Sequence, residues 1–357
     1  MGIRVLLRNS AVLLVVALVL AAVTGVRSSA ARRARVDTST FVPLVSGPQL
    51  EVGDIAQLQV EIPKNGIRWT YERRDGAWRM PDLLGAFALN DEVESVVRTV
   101  INSRMRPVGD LEDSRERFGL SQQSIVTLSL ARAVGERVLR VNIGALAPGA
   151  LKDEVYVVRD GDDTAYLLNS NPISFLMGAK PPPLLDRHVL PRALPHGIPL
   201  RISYGGSRAT ELQELKIKAL PQDSQMLDPR FEKTPEQKKP THEFMGETPQ
   251  GETRAFDGNV GMRYVNTLLN LEFDKIVGSI APSQLSDPRF NNPLFELTMH
   301  YEDGKETTLV VTDTLIEGKY PILNKATGQV FIITPEKLDQ LSPQITPKTA
   351  DSKAASK

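Results

Sequence analysis

The sequence predicts an α+β protein of two repeated modules, each a mostly antiparallel sheet with one packed amphipathic helix, set behind an N-terminal transmembrane helix. Three observations carry this. An apolar run near the N-terminus suits a membrane; alternating strand patterns flank one helical pattern; and the order of those patterns recurs in the second half. A chain of 357 residues, 41% hydrophobic and 24% charged, can bury cores for about two domains.

Charge and cysteine content set limits early. Lys+Arg 43 balances Asp+Glu 43, but Arg4, Arg8, Arg27, Arg32, Arg33 and Arg35 all lie in residues 1–36, which hold no acid. The remainder is therefore net acidic, which argues against a nucleic-acid surface. With Cys 0 there is no disulfide framework, thiolate zinc site, cysteine nucleophile or lipoprotein cysteine.

Ala11 to Val26 is uncharged and mostly apolar, about 24 Å as a helix at ~1.5 Å per residue. A bilayer core is about 30 Å thick, so one crossing needs the stretch from Val5, with Arg8 reaching to the interface. The competing reading is a cleaved signal peptide ending at Ser28-Ser29-Ala30, against which Arg27 sits awkwardly. Arginines flank the segment on both sides and leave orientation open; a long C-terminal body translocates largely regardless of nearby charge, which favours an extracytoplasmic body.

Residues 1–36 thus form the anchor with basic flanks and 37–50 a linker. The first module is expected over 51–195. Ile55 to Ile62 alternates as a strand; Ile67, Trp69 and Tyr71 share a face of the next; Asp75-Gly76 is a turn; Trp78 and Met80 share a face of the return strand. Val93, Val96, Val97, Val100 and Ile101 fall at helical spacing, with Asp91 and Glu94 offering a capping box and an end before Pro107. Ile125 to Leu130, Val138 to Ile143, Val155 to Arg159 and Ala165 to Leu168 read as four strands.

The second module, 196–341, repeats that order. Leu212 to Leu220 stands for the first strand, and Met262, Val265, Leu268, Leu269, Phe273 and Ile276 for the helix. Phe295 to Tyr301, Thr307 to Val311, Lys319 to Leu323 and Val330 to Ile333 stand for the four strands. Arg289-Phe290-Asn291-Asn292 matches Arg117-Phe118-Gly119-Leu120, and Leu58/Leu215, Val126/Phe295, Val141/Leu309 and Ala165/Val330 are taken as equivalent. Residues 221–258, rich in proline and charge, are expected to be a flexible insertion, and 342–357 a disordered tail.

Chemistry is sparse. His188, His196, His242 and His300 show no metal-ligand spacing, and Asp160, Asp162 and Asp163 lack the glycine and glutamate of a calcium loop. No Gly-x-Ser-x-Gly, Walker A or Gly-x-Gly-x-x-Gly occurs, so the chain is not itself a nucleotide-hydrolysing subunit. No catalytic residue, cofactor or metal is expected. Trp69, Tyr71 and Trp78 could form an aromatic platform, against the commoner reading as core. Arg115 and Arg117 beside Phe118 could touch an anionic partner, against a solvated loop. Pro181-Pro182-Pro183 reads as a stiff spacer.

The stretch from Leu58 to Leu190 resembles the bacterial domain-of-unknown-function family numbered 4340, whose members often accompany gliding-motility-type ABC transporter components. The residues that carry it are the Trp hairpin, Arg117-Phe118-Gly119-Leu120, Val141-Asn142-Ile143-Gly144, Val155-Tyr156-Val157 with Tyr166-Leu167-Leu168, and Leu185-Asp186-Arg187-His188-Val189-Leu190. Gln123 stands where the family often has proline. The resemblance implies a non-enzymatic accessory or scaffold protein of an ABC-transporter or cell-envelope complex. It would be a single-pass protein of the bacterial inner membrane, its body on the periplasmic side, with integral-membrane transporter subunits or other envelope proteins as partners. The alternative expectation is an envelope module that captures a peptide, glycan or lipid between its two domains.

Overall fold

The computed structural model describes residues 41–46, 50–133, 135–148, 153–177, 180–194, 197–220, 241–280 and 288–342. The expected membrane segment, Val5 to Val26, lies outside them, as do His196 and nearly all of the tail; among the described residues no helix is long and apolar enough to cross a membrane.

The first module runs β1 (Val42–Pro43), β2 (Gln57–Ile62), β3 (Ile67–Arg74), β4 (Ala77–Met80), β5 (Ala86–Phe87), α1 (Asn90–Asn102), β6 (Arg104–Asp110), the short α2 (Leu111–Ser114), β7 (Val126–Ala131), β8 (Arg137–Leu146), β9 (Val155–Arg159) and β10 (Thr164–Leu168). The second runs β11 (Arg201–Gly205), β12 (Glu214–Ala219), β13 (His242–Glu247), β14 (Thr253–Phe256), α3 (Gly258–Leu269), β15 (Lys275–Ser279), β16 (Phe295–His300), β17 (Glu306–Val311), β18 (Tyr320–Asn324), β19 (Gln329–Ile333) and the short α4 (Pro335–Asp339). All pairings between these strands are antiparallel.

Duplication is visible in the strand order. One sheet reads β1-β6-β10-β9-β8-β7-β2-β3-β4-β5; the other, read from its far end, is β15-β19-β18-β17-β16-β11-β12-β13-β14. Register repeats as well: Leu58 stands between Tyr71 and Leu130 as Ile202 stands between Leu215 and Met299. Even the bulge recurs, since β6 skips Val108 against β10 and β15 skips Val277 against β19. A bulge kept at one place in two copies is a built feature of the sheet rather than a local defect.

The register corrects several expectations. Leu212 to Leu220 is the counterpart of β3, and the first strand's counterpart is Arg201–Gly205, so Leu58 matches Ile202 rather than Leu215. The insertion expected over 221–258 is narrower, because His242–Glu247 and Thr253–Phe256 are strands and Phe244 is fully buried. Scattered proline and charge masked two short strands whose inward faces carry only Phe244 and Phe256 as large apolar residues. Ala219 pairs with His242, so what precedes His242 replaces the two-residue turn at Asp75-Gly76. The linker 37–50 contributes β1 and the buried Leu44 and Leu50.

Both helices also differ at their ends. α1 begins at Asn90 with Leu89 as N-cap and no side-chain cap, so the Asp91–Glu94 capping box does not form; Glu94 instead pairs with Arg73 of β3. α3 stops at Leu269, and Phe273 and Ile276 lie outside it, the latter in β15. Val93, Val96, Val97 and Val100 are buried on α1, as are Gly261, Tyr264, Val265 and Leu268 on α3. Gly261 is small for a reason: a β-carbon there would run into the ring of Phe244.

A smaller cluster lies on the opposite face of each sheet. In the first module Phe118 and Leu120 cover Leu111, Val158 and Ala165; in the second, Phe290 covers Val310, Leu323, Val330 and Ile280. The matching of the two Arg-Phe loops therefore holds in space. The Phe118 carbonyl accepts from Ala145 N–H at 2.9 Å, and a β-carbon on Gly144 would collide with that same oxygen. Gly144→Ala must push the loop off the strand. The expected loss is about 1–3 kcal/mol in denaturant unfolding; unchanged stability would show that this loop does not bear on the sheet.

One ion-pair cluster ties α4 to Asp274, the residue just ahead of β15. Lys337 and Lys319 reach Asp274 at 2.6 and 2.8 Å. Burial alone raises the Asp274 carboxyl, but the two ammonium groups prevail and hold it below its ordinary value. A depressed folded-state value gives stability that is present at neutral pH and lost as pH falls through that value. Asp274→Asn should therefore lower Tm at pH 7, and the gap to wild type should close in acid. A gap independent of pH would show that the charge contributes nothing.

Candidate functional site

The residues singled out in the hairpin are core. In β3 the inward side chains are Trp69, Tyr71 and Arg73, of which Tyr71 is fully buried and Trp69 half-buried; Trp78 of β4 is fully buried. The Tyr71 hydroxyl donates to the Pro183 carbonyl at 2.6 Å, and burial pushes that hydroxyl far above its ordinary pKa. Arg73 lies over the Trp78 ring at 5.2 Å. These aromatics thus present no platform to a ligand. Phe118 is likewise buried, its ring 4.3 Å from that of Tyr156, while Arg117 is exposed with its guanidinium 5.8 Å from the Phe118 ring. Of the five, Arg117 alone is fully open to solvent.

A cavity of about 610 Å³ opens beside this loop on the polar face of the first sheet. It is lined by Arg115, Thr127, Arg140, Asn142 and Arg159, among others, and by Asp160 to Asp163. Its charges are largely satisfied within the protein: Arg159 holds Asp162 at 2.7 Å, Arg140 reaches Glu61 at 3.4 Å, and Thr127 donates to Asn142 at 2.7 Å. The sequence singles out Asp160, Asp162 and Asp163 only as an incomplete calcium loop, and it does not single out Thr127, Arg140, Asn142 or Arg159. The signal was there in the polar alternation of Thr127 and Ser129 on β7 and Arg140 and Asn142 on β8.

The other unforeseen constellation is the junction between modules. The segment Leu184 to Val189 is bonded on both sides, with isolated antiparallel bridges from Leu185 to Ala88 and from His188 to Glu272, and Leu184 itself turns with a φ of 58°. Leu89 N–H donates to Leu184 O at 2.8 Å and Asp186 N–H to Phe87 O at 3.0 Å, on the first module. Phe273 N–H donates to Arg187 O and Val189 N–H to Leu271 O, both at 2.8 Å, on the second. Leu184 and Asp186 thus bond to the first module, and Arg187 and Val189 to the second. The Asp186 side chain is fully buried and accepts from His188 Nδ1 at 2.6 Å, His188 N–H at 3.1 Å and Arg192 N–H at 2.6 Å. Asn324 Nδ2 donates to the Val189 carbonyl at 2.8 Å. This segment, which lies ahead of the boundary expected at 195/196, is thus bonded to both modules. Pro181-Pro182-Pro183 does more than space them, since Pro183 is bonded to Tyr71 and Arg187 Nη2 donates to Pro181 O at 3.0 Å.

The junction is filled rather than hollow, with Leu185, Val189 and Leu190 buried alongside Asp186 and His188. Four cavities, beside Arg140, Tyr301, Arg208 and Phe290, are each lined by residues of one module. Among the described residues no group of three or more His, Asp or Glu is placed to hold a metal ion. No family model, no curated protein and no solved structure matches this chain.

Proposed function

We propose that this protein is a membrane-anchored, extracytoplasmic scaffold, an accessory subunit to integral-membrane components of an ABC-transporter or other envelope complex. The observation that carries the reading is the segment Leu184 to Val189 at the junction, which bonds to both modules and ties them together. Two open sheets so joined present edges and loops that suit contact with other proteins. A packed junction with buried polar bonds favours a rigid support over a clamp that opens to take a ligand between its domains. The anchor and the transporter partner come from the apolar segment Val5 to Val26 and from the family resemblance.

Crosslinking in intact cells, followed by extraction in mild detergent and identification of the products, is the test. Multi-spanning transporter subunits should be recovered repeatedly with the full-length chain. Recovery of this protein with no membrane partner would sink the accessory role. An intact N-terminus in mass spectra of the mature protein should accompany it; a start near Ala31 would remove the anchor.

A further inference from the structure

We infer that the cavity of the first module is a binding site for a small zwitterion of the amino-acid kind, with its carboxylate on Arg140 and Asn142, its ammonium group on Asp160 and its aliphatic side chain against Leu120, Ile125 and Val158. The two copies of the module supply the argument, because the second has closed this place and the first has left it open. With Leu58 matched to Ile202, the strand registers match Thr127 to Glu296, Arg140 to Thr308, Asn142 to Val310 and Asp160 to Lys325. Local bonding agrees: Asp160 N–H donates to Arg140 O at 3.0 Å, and Lys325 N–H to Thr308 O at 2.9 Å. In the second module Lys325 Nζ reaches Glu296 Oε1 at 2.8 Å, an ion pair that spans β17 from the end of β18 to β16, and Val310, opposite Glu296, is buried. The first module carries Thr127 and Asp160 at those two places. They form no such pair, and both line the cavity with Arg140 and Asn142.

What the first module leaves there is a pair of opposite charges that are not joined to each other. Val141 pairs with Arg159, so Arg140 and Asp160 stand opposite one another on neighbouring strands, close enough for both to touch one small ligand. Among the described residues Arg140 reaches only Glu61, at 3.4 Å, and Glu61 is already held by Arg68 at 2.9 Å. Asp160 reaches only Arg137, at 4.0 Å. The Thr127 hydroxyl donates to Asn142 Oδ1, which leaves the Asn142 Nδ2 hydrogens to donate elsewhere. A guanidinium and an amide are good donors to one carboxylate. The described lining holds Arg115, Arg140 and Arg159 against Asp160, Asp162 and Asp163, so a bare anion or cation meets repulsion along with attraction, and a ligand carrying both charges can satisfy both. Leu120 and Val158 are buried and Ile125 half-buried, which gives the ligand an apolar wall. A volume of about 610 Å³ is that of a small-molecule site.

The scaffold role does not depend on this site, and either can fail without the other. Leucine is the probe, titrated into the full-length chain in mild detergent and followed by saturation-transfer NMR of the ligand. Saturable binding is expected. Isocaproate, which lacks the ammonium group, and isoamylamine, which lacks the carboxylate, should each bind at least about tenfold more weakly. Arg140→Gln and Asp160→Asn should each weaken leucine by a similar factor at unchanged Tm, since both side chains reach solvent. Thr127→Glu combined with Asp160→Lys copies the second module's ion pair and should abolish binding; the single variants decide the matter if that double variant misfolds. Absence of saturable leucine binding overturns the proposal. Equal binding of isocaproate or isoamylamine overturns it too, because one charge would then suffice. Wild-type affinity in both Arg140→Gln and Asp160→Asn would put leucine elsewhere on the protein and overturn it equally.

Discussion

Asp186→Ala is expected to uncouple the two modules. Its carboxylate is fully buried and takes hydrogen bonds from His188 Nδ1 and from the backbone of His188 and Arg192. Removing it strands those donors without water, and each buried group left unpaired costs about 1–3 kcal/mol. The loss falls on the segment bonded to both modules, so cooperativity should suffer along with stability. Both tryptophans, Trp69 and Trp78, belong to the first module, which allows the modules to be followed separately. Thermal unfolding by tryptophan fluorescence and by circular dichroism should coincide in wild type and part company in Asp186→Ala. A single coincident transition at the wild-type temperature would mean that the carboxylate does not hold the junction.

Val97→Asp should do more damage within one module. Val97 is fully buried on α1 and belongs to the core that includes Tyr71, Trp78 and Leu130. A carboxylate there has no partner, and an uncompensated buried charge costs several kcal/mol in practice. That is a large part of the stability of an ordinary domain. The first module should lose its cooperative fluorescence transition, and Leu268→Asp should do the same to the second module, since Leu268 is 1% exposed on α3. Wild-type unfolding temperatures in either variant would remove these side chains from the cores.

These two experiments probe features that differ in how they could be read. Val97 was legible as core because the valines of α1 recur every three or four residues, and such a stripe has one physical use in a sheet protein. The hairpin of Trp69, Tyr71 and Trp78 was legible for the same reason, through alternation and the Asp75-Gly76 turn. Asp186 was not. A buried carboxylate looks like any other acid in a sequence, and its burial is set by which strands close around it. The site suffered likewise: Arg140, Asn142 and Arg159 gather at one cavity only because β8 and β9 are neighbours.

By itself the sequence determined that there are two modules of one kind, the long strands of each, the buried face of each helix and the pairing of the Arg-Phe loops. These are local patterns, written by side-chain periodicity and turn residues over a few positions. Tertiary structure alone decided that Arg201–Gly205 is the counterpart of the first strand, that Phe244 and Phe256 turn a polar stretch into two strands, and that Leu184 to Val189 bonds to both modules. In each case the deciding quantity is a hydrogen bond to a strand distant in the chain. A backbone donor carries no mark in the sequence of which acceptor it will meet.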